Sequence, residues 1–257
     1  MATWQLTTGM MSLLLMALLS TLATVTTQAQ TKAEADSAYQ QGNYQQAIVL
    51  YEQMLQKGVS ADLYYNLGNA YYRTEDITHA VLNYERALLL SPGDADIRFN
   101  LQMARSKTID KITPESEMFF VTWYRSLAGL MSVDAWARTA LAMLALAIVL
   151  GLLYLFASPV WMRKVGFFGA LFMIVGFLLG NVLAWQQKRE FTQRHGAIVT
   201  SSVANVKSTP ATTGTDLFIL HEGTRVDITD GTMKQWKRVR VADGKEGWIE
   251  AQMIETI

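Results

Sequence analysis

The fold of this chain is decided by two apolar runs, TALAMLALAIVLGLLYLFA over residues 139–157 and VGFFGALFMIVGFLLGNVLAW over residues 165–185. Each is about as long as the roughly 20-residue helix that crosses the hydrocarbon core of a bilayer. Arg163 and Lys164 lie in the short tether between them. The runs therefore predict a helical hairpin with transmembrane helices at residues 135–158 and 165–186. A hairpin leaves the segments before and after it in one compartment.

Aromatic and small residues mark how this hairpin is expected to sit. Trp136, Trp161 and Trp185 stand at the ends of the runs, where amphipathic rings favour the headgroup level. Asn181 is the one strongly polar residue inside either run, and we expect its amide to bond to the partner helix. Four glycines recur on much of one face of the second run and predict close helix packing rather than a pore. They are Gly166, Gly169, Gly176 and Gly180.

The compartment is indicated by the N-terminal segment. Residues 10–25 are an apolar stretch too short for a comfortable span, and Thr27, Gln28 and Ala29 follow the small-x-small pattern of signal peptidase sites. We read residues 1–29 as a secretory signal. Cleaved or retained, it places the chain after it on the periplasmic side of the inner (cytoplasmic) membrane.

Composition excludes several classes of function. The formal net charge is +0, so no basic surface points to nucleic acid. The absence of cysteine removes disulfides, thiol nucleophiles and thiolate metal sites.

An internal repeat lies before the hairpin. Its complete copy has Tyr64-x2-Leu67-Gly68-x2-Tyr71, then Ala80-x3-Tyr84-x2-Ala87, then Pro92, and it resembles the tetratricopeptide pattern. An earlier copy follows Lys32, and its Ala47 and Tyr51 lie 33 positions before Ala80 and Tyr84. The pattern predicts antiparallel helix pairs that approach closely at Gly68 and Ala80. A capping helix over residues 94–109 completes the predicted repeat domain, residues 30–111.

The resemblance implies that the first helix of each repeat lines a concave surface. Five residues of the complete copy fall on that helix outside the packing signature. They are Tyr65, Asn66, Asn69, Tyr72 and Arg73. Amides and phenols suit an extended peptide backbone, and a guanidinium suits a carboxylate, so these are the candidate partner-binding residues. The alternative is that they are only solvated. Tyr65 stands where the carboxylate clamp of some family members needs a lysine.

Between the repeats and the hairpin, residues 112–132 carry an interrupted aromatic face that includes Phe119, Phe120 and Trp123. We expect a helix lying on the membrane surface in preference to one packed on the repeats, with Ser132 capping the first transmembrane helix.

The tail, residues 195–257, alternates short β-rich runs with turn signals such as Asp243-Gly244. Its pattern resembles a bacterial SH3 domain, a fold that binds cell-wall peptides in some proteins and protein partners in others. Trp248 is expected in the barrel core, whereas Trp236 is a candidate ligand residue.

No residues are assigned to catalysis, to a cofactor or to a metal. His79, His195 and His221 fall in separate units, and no G-x-S-x-G, H-E-x-x-H or phosphate-binding glycine loop occurs. The sequence therefore predicts a non-enzyme. The fold class is a multidomain membrane protein with an all-α tetratricopeptide repeat solenoid, a two-helix transmembrane hairpin and an all-β SH3-like barrel.

The order of these segments resembles the BatE family of aerotolerance-associated proteins. That resemblance implies an inner-membrane assembly with other Bat proteins, including ones with von Willebrand A domains, and with a MoxR-type ATPase. We expect a periplasmic scaffold that binds protein partners through its repeat groove and its barrel. The alternative is a peptidoglycan tether or envelope sensor that acts through the SH3-like domain.

Overall fold

Eight helices and a β-sheet make up the described part of the chain. The computed structural model describes residues 32–115, 118–193 and 196–257. The predicted signal, residues 1–29, and His195 lie outside these ranges. The helices are α1 (residues 32–40), α2 (Tyr44–Leu55), α3 (Ala61–Arg73), α4 (Ile77–Leu90), α5 (Ala95–Arg105), α6 (Phe119–Ala128), α7 (Val133–Phe156) and α8 (Val160–Gln193).

The pairs α1–α2 and α3–α4 form the two predicted repeats. A Cβ added at Gly68 on α3 would lie 2.8 Å from Cδ1 of the Tyr84 ring on α4. Tyr84 is 1% exposed and Ala80 is fully buried. The predicted close approach of the two helices at Gly68 and Ala80 is therefore confirmed.

Polar caps set where the repeat helices begin. The Ser60 hydroxyl accepts a hydrogen bond from the Leu63 amide at 3.2 Å, and the Asp76 carboxylate accepts one from the His79 amide at 3.1 Å. Asp94 caps α5 by accepting from the amides of Asp96 and Ile97. Each side chain satisfies amides that have no partner within the first turn of its helix.

Helix α5, the predicted cap, has the sequence positions of the first helix of a third repeat. The sequence from Asp94 repeats that from Ser60 at an interval of 34 positions. Ile97, Leu101 and Ala104 take the places of Leu63, Leu67 and Ala70, and all six are buried. Ile109, which lies beyond the end of α5 at Arg105, is 64% exposed. The solenoid therefore ends on half a repeat.

Helices α7 and α8 form an antiparallel pair that is long and apolar enough to cross a membrane. Helix α8 begins at Val160, so Arg163 and Lys164 lie in its first turn instead of in the tether, which shortens to residues 157–159. The Ser132 hydroxyl accepts from the Ala135 amide at 3.3 Å, as predicted for the cap of α7.

The glycines of α8 face α7. A Cβ added at Gly166 would lie 2.7 Å from the Leu150 carbonyl oxygen, and one at Gly176 would lie 2.6 Å from the sulfur of Met143. These distances confirm that the glycine face packs against the partner helix. The expectation for Asn181 is wrong, because its Nδ2 donates to the Phe177 carbonyl of its own helix at 2.8 Å.

Three hydrogen bonds hold α6 at the open end of the hairpin. The Ala128 carbonyl accepts from Nε1 of Trp136 at 3.0 Å and from Nε2 of Gln187 at 2.8 Å, and Gln187 also donates to the Met131 carbonyl. Phe119 and Trp123 on α6 are 83% and 67% exposed. Helix α6 is thus fixed to both helices of the hairpin, while its membrane-surface position stays a prediction.

Seven antiparallel strands form one sheet in the order β3-β2-β6-β5-β4-β1-β7. They are β1 (Gly196–Val199), β2 (Val203–Lys207), β3 (Asp216–His221), β4 (Arg225–Asp230), β5 (Trp236–Arg240), β6 (Glu246–Glu250) and β7 (Ile254–Thr256). Alternate side chains point into a core of small aliphatic residues that includes Ala204, Val206 and Val239, all fully buried. This is the predicted SH3-like fold.

The barrel packs directly on the repeats. Ile198 on β1 and the C-terminal Ile257 join one core cluster with Val81, Leu101 and Ala104 of α4 and α5. In a longer solenoid, the second helix of the third repeat would cover this face. The barrel therefore supplies the burial that the half repeat lacks.

A buried carboxylate lies at this contact, which we call the module junction. Glu85 on α4 is 3% exposed and is paired with Arg105 on α5 and with Nη1 of Arg225 on β4, the latter at 2.9 Å. The Glu85 carboxylate raises the pKa of the Arg225 guanidinium above its ordinary value. Beside it, Nη2 of Arg86 donates to Glu255 at 2.9 Å and to the Thr256 carbonyl at 2.6 Å.

The linker after α5 adds a second polar contact. Asp110 accepts hydrogen bonds from the His221 amide and from the Thr224 hydroxyl, both at 2.7 Å, and also contacts the His221 ring. Burial acts to raise the pKa of the Asp110 carboxyl, but these hydrogen bonds outweigh it and hold the pKa below its ordinary value. The carboxylate form therefore fastens the linker to the β3–β4 turn.

We expect Gly68→Ala to destabilise the repeats by roughly 1–3 kcal/mol, because Tyr84 is fully enclosed and has no room to yield. Thermal unfolding of the purified protein, followed by circular dichroism, measures the loss. Gly58→Ala is the control, since an added Cβ there meets no atom within 4 Å. Equal melting temperatures for the two variants would contradict the close packing.

Arg225→Ala should lower the free energy of unfolding by about 1–3 kcal/mol, because it leaves the buried Glu85 carboxylate with only one of its two cationic partners. Arg238→Ala removes an arginine from a solvated pair with Glu246, 3.0 Å apart, and should cost less than about 1 kcal/mol. Chemical denaturation followed by tryptophan fluorescence compares the two. If both variants lost the same stability, the buried pair would have no special role at the junction.

Candidate partner-binding surfaces

A polar groove lies on the side of the solenoid formed by the first helices of the repeats. It contains a cavity of about 270 Å³ between α1 and α3. We call this surface the repeat groove; its cavity is lined by Asp36, Tyr39, Gln40, Tyr51, Asn66 and Asn69. Two of the five predicted groove residues, Asn66 and Asn69, therefore line a real concavity.

The same hydrogen bond recurs in both repeats beneath this groove. The Tyr51 hydroxyl donates to Oδ1 of Asp36 at 2.6 Å, and the Tyr84 hydroxyl donates to Oδ1 of Asn69 at 2.7 Å. Donors and acceptors are each 33 positions apart. Burial raises the pKa of the Tyr84 phenol, so it stays protonated and continues to donate. Each second helix thus fixes one polar side chain of the groove.

Asn100 on α5 joins two of the predicted residues. Its Nδ2 donates to the Tyr65 hydroxyl at 3.0 Å and to Oδ1 of Asn69 at 2.9 Å. Asn100 occupies the position of Asn66 in the third repeat. It was missed in the sequence, although the 34-position interval from Asn66 was the signal that would have revealed it. Tyr65 and Asn69 are therefore held in place before any partner binds.

Tyr72 and Arg73 lie toward the end of α3 and form cation–π pairs with the turn after α5 and with helix α2, respectively. Nζ of Lys107 lies 4.3 Å from the centre of the Tyr72 ring, and Cζ of Arg73 lies 5.7 Å from the centre of the Tyr44 ring. Arg73 is exposed. Among the described residues it forms no ion pair with a carboxylate, so its charge is available to a ligand.

Two apolar side chains extend the groove on α5. Phe99 and Met103 stand at the positions of Tyr65 and Asn69 and are 66% and 37% exposed. Neither residue belongs to the packing signature that marks the repeats in the sequence. The groove therefore changes from polar at α1 to apolar at α5.

The barrel carries a separate cavity of about 370 Å³ lined in part by Trp236. Trp236 is only 8% exposed, so it offers an edge to this cavity, whose other walls include Lys234, Gln235 and Glu250. Trp248, expected in the core, is only half-buried. The tryptophan that lies deepest in the barrel is thus Trp236.

The barrel approaches the repeats from the side away from the groove. Its polar contacts with the repeats reach Thr78, Glu85 and Arg86 on α4, a second helix. Asn66 and Asn69 instead line the cavity between the first helices α1 and α3. The module junction therefore leaves the repeat groove accessible.

No group of three or more His, Cys, Asp or Glu side chains that could hold a metal ion occurs within residues 32–115, 118–193 and 196–257. The His79 ring is hydrogen-bonded to the Asp76 carboxylate and stacked on the Tyr71 ring, and the His221 ring contacts the Asp110 carboxylate. Both described histidines therefore have structural contacts.

Comparison with known families agrees with both soluble modules. Residues 61–94 match the tetratricopeptide repeat family, and residues 202–255 match the bacterial SH3 domain family. No curated protein matches the chain. The first of these matches covers α3, α4 and the turn into α5, so the repeats formed by α1–α2 and by α5 rest on the structure and the sequence interval. Domains of both families are typically non-catalytic binding modules.

Proposed function

We propose that the protein is a non-catalytic, membrane-anchored scaffold that binds protein partners through the repeat groove and the SH3-like barrel. Both modules lie on the periplasmic side of the inner membrane in this proposal. The observation that supports this proposal most directly is the position of the barrel. It docks on the side of the solenoid formed by α4, away from the cavity between α1 and α3, and so leaves the polar repeat groove accessible. Tyr65, Asn66, Asn69, Tyr72 and Arg73 are the residues proposed to contact the partner.

The chemistry of the groove supports an extended peptide segment as the ligand. Asparagine amides both donate and accept hydrogen bonds, as the backbone of an extended chain requires. The Tyr84 and Asn100 contacts hold Asn69 in one position, which lowers the entropy lost on binding. Arg73 supplies a positive charge for an acidic side chain of the partner.

The periplasmic location rests on the N-terminal segment, which resembles a secretory signal. The α7–α8 hairpin then returns the chain to the side from which it entered. The contact between α4 and β1 requires the repeats and the barrel to share a compartment, which two crossings satisfy.

The partners we propose are other Bat proteins, including those with von Willebrand A domains. This rests on the resemblance of the segment order to the BatE family. The neutral charge of the chain argues against nucleic acid as a partner.

A second candidate is a peptidoglycan tether or envelope sensor. The observation that favours it is the cavity of about 370 Å³ beside Trp236 on the barrel. In that case the barrel would hold a wall peptide while the repeats served a different partner.

A photo-reactive amino acid placed at Tyr72 in intact cells should cross-link a protein partner, whereas the same group at Val49, exposed on α2, should not. Asn66→Ala combined with Arg73→Ala should abolish the cross-link without lowering the abundance of the protein, because neither side chain accepts from the buried Tyr84 hydroxyl. Cross-linking that persists in this double variant would count against the groove.

Sedimentation of the purified full-length protein with isolated cell-wall sacculi separates the two candidates. The scaffold proposal expects the protein to stay in the supernatant. Pelleting that is lost when the exposed cavity residues are changed, in Lys234→Ala with Gln235→Ala, and retained in the groove variant, would favour the wall tether.

A further inference from the structure

A cavity of about 340 Å³ lies where α7 meets α8 at the tether end of the hairpin. Its walls are Tyr154 from α7 and Val160, Arg163, Lys164, Phe167 and Phe168 from α8. Neither soluble module contributes to it, and the proposed scaffold function does not use it. The cavity combines two cations with an aromatic wall.

Within the part of the chain that the structure describes, the two cations have no acidic partner. No aspartate or glutamate occurs between Asp134 and Glu190 in the sequence. Among the described residues, neither Arg163 nor Lys164 forms an ion pair. The Arg163 guanidinium carbon lies 5.5 Å from the centre of the Tyr154 ring, which holds it at the cavity without neutralising it. The site therefore carries an uncompensated positive charge suited to an anion.

The apolar wall is equally exposed. Phe167 and Phe168 are 48% and 65% exposed, and Val160 is 67% exposed. The Phe167 ring lies 5.7 Å from the Tyr154 ring and 5.3 Å from the Phe168 ring, centre to centre. This contiguous aromatic surface opens to the outside of the hairpin, where hydrocarbon chains lie if the hairpin is in a bilayer.

The spacing along α8 matches the structure of a phospholipid. Arg163 precedes Phe167, and Lys164 precedes Phe168, by four positions each. One helical turn is about 5.4 Å, so each cation lies directly above an aromatic ring on the same face. Trp161 marks the interface at this end. In a bilayer whose interface lies at Trp161, the cations would fall at headgroup depth and the rings at the depth of the first acyl carbons.

We propose that this cavity binds one anionic phospholipid, with its phosphate between Arg163 and Lys164 and an acyl chain along Phe167 and Phe168. The proposal requires the hairpin to lie in a membrane but does not depend on what the groove binds. Basic pockets between transmembrane helices at the cytoplasmic surface suit such headgroups.

Native mass spectrometry of the full-length protein in detergent with added phosphatidylglycerol tests this site. We expect a bound-lipid adduct that Arg163→Gln with Lys164→Gln weakens about tenfold or more. Lys188→Gln with Arg189→Gln is the matched control, because it removes the same charge near Trp185 at the other end of α8. That variant should keep the adduct.

Equal weakening in both double variants would show general attraction to charge and overturn the proposal, as would an adduct unchanged in Arg163→Gln with Lys164→Gln. Phosphatidylcholine should bind at least tenfold more weakly than phosphatidylglycerol. If glycerol phosphate competed for the site as strongly as the intact lipid, the acyl chain would contribute nothing to binding, and the proposed role of the aromatic wall would be wrong. Phe168→Ser, at an exposed position, should weaken the lipid adduct while leaving glycerol phosphate binding unchanged.

Discussion

The docking of the barrel on helices α4 and α5 is the contact on which the rest of the structure depends. A solenoid that stops after the first helix of its third repeat leaves an apolar face open. Ile198 and Ile257 cover that face, and the Glu85 carboxylate, buried between two arginines, fixes the orientation of the barrel. A buried charge lacking either cation is costly, so the junction specifies one arrangement of the two modules.

This arrangement constrains the membrane topology and the position of the groove. The repeats and the barrel flank the hairpin in the chain, so their contact requires an even number of crossings between them. The α4–α5 turn also lies against the juxtamembrane segment, because a Cβ added at Gly93 would stand 2.5 Å from the Leu130 carbonyl oxygen. The repeats are therefore held against the open end of the hairpin by direct contacts and are not connected to it only by a flexible linker.

Local patterns in the sequence predicted the elements, whereas contacts between distant elements were not visible in it. The length of the two apolar runs predicted the hairpin, and the signature that includes Gly68 and Tyr84 predicted the complete repeat, because both patterns involve residues close together in the chain. The hydrogen-bond partner predicted for Asn181 was wrong because sequence periodicity does not show whether a side chain bonds to the backbone of its own helix or to a neighbouring helix. The pairing of Glu85 with Arg225 spans 140 positions and leaves no local signal. Aligning the repeats at an interval of 34 positions would have identified Phe99 and Asn100 as the equivalents of Tyr65 and Asn66.

The most direct test of the module junction is a disulfide between Thr108→Cys on the repeat side and Gly223→Cys on the barrel. The chain has no natural cysteine, and a Cβ added at Gly223 would lie 3.6 Å from the Cβ of Thr108, within the range that a disulfide requires. Gly223 has a φ of 79°, which strains a cysteine there, so thermal unfolding of Gly223→Cys alone is the control that the barrel stays folded. A protease site inserted between α8 and β1 allows the product to be read on a gel. If the barrel docks on the repeats as described, the cleaved barrel in intact cells stays attached to the repeats until a reductant is added, and neither single variant shows this. Release of the barrel without reductant, even after treatment with an oxidant, would contradict it.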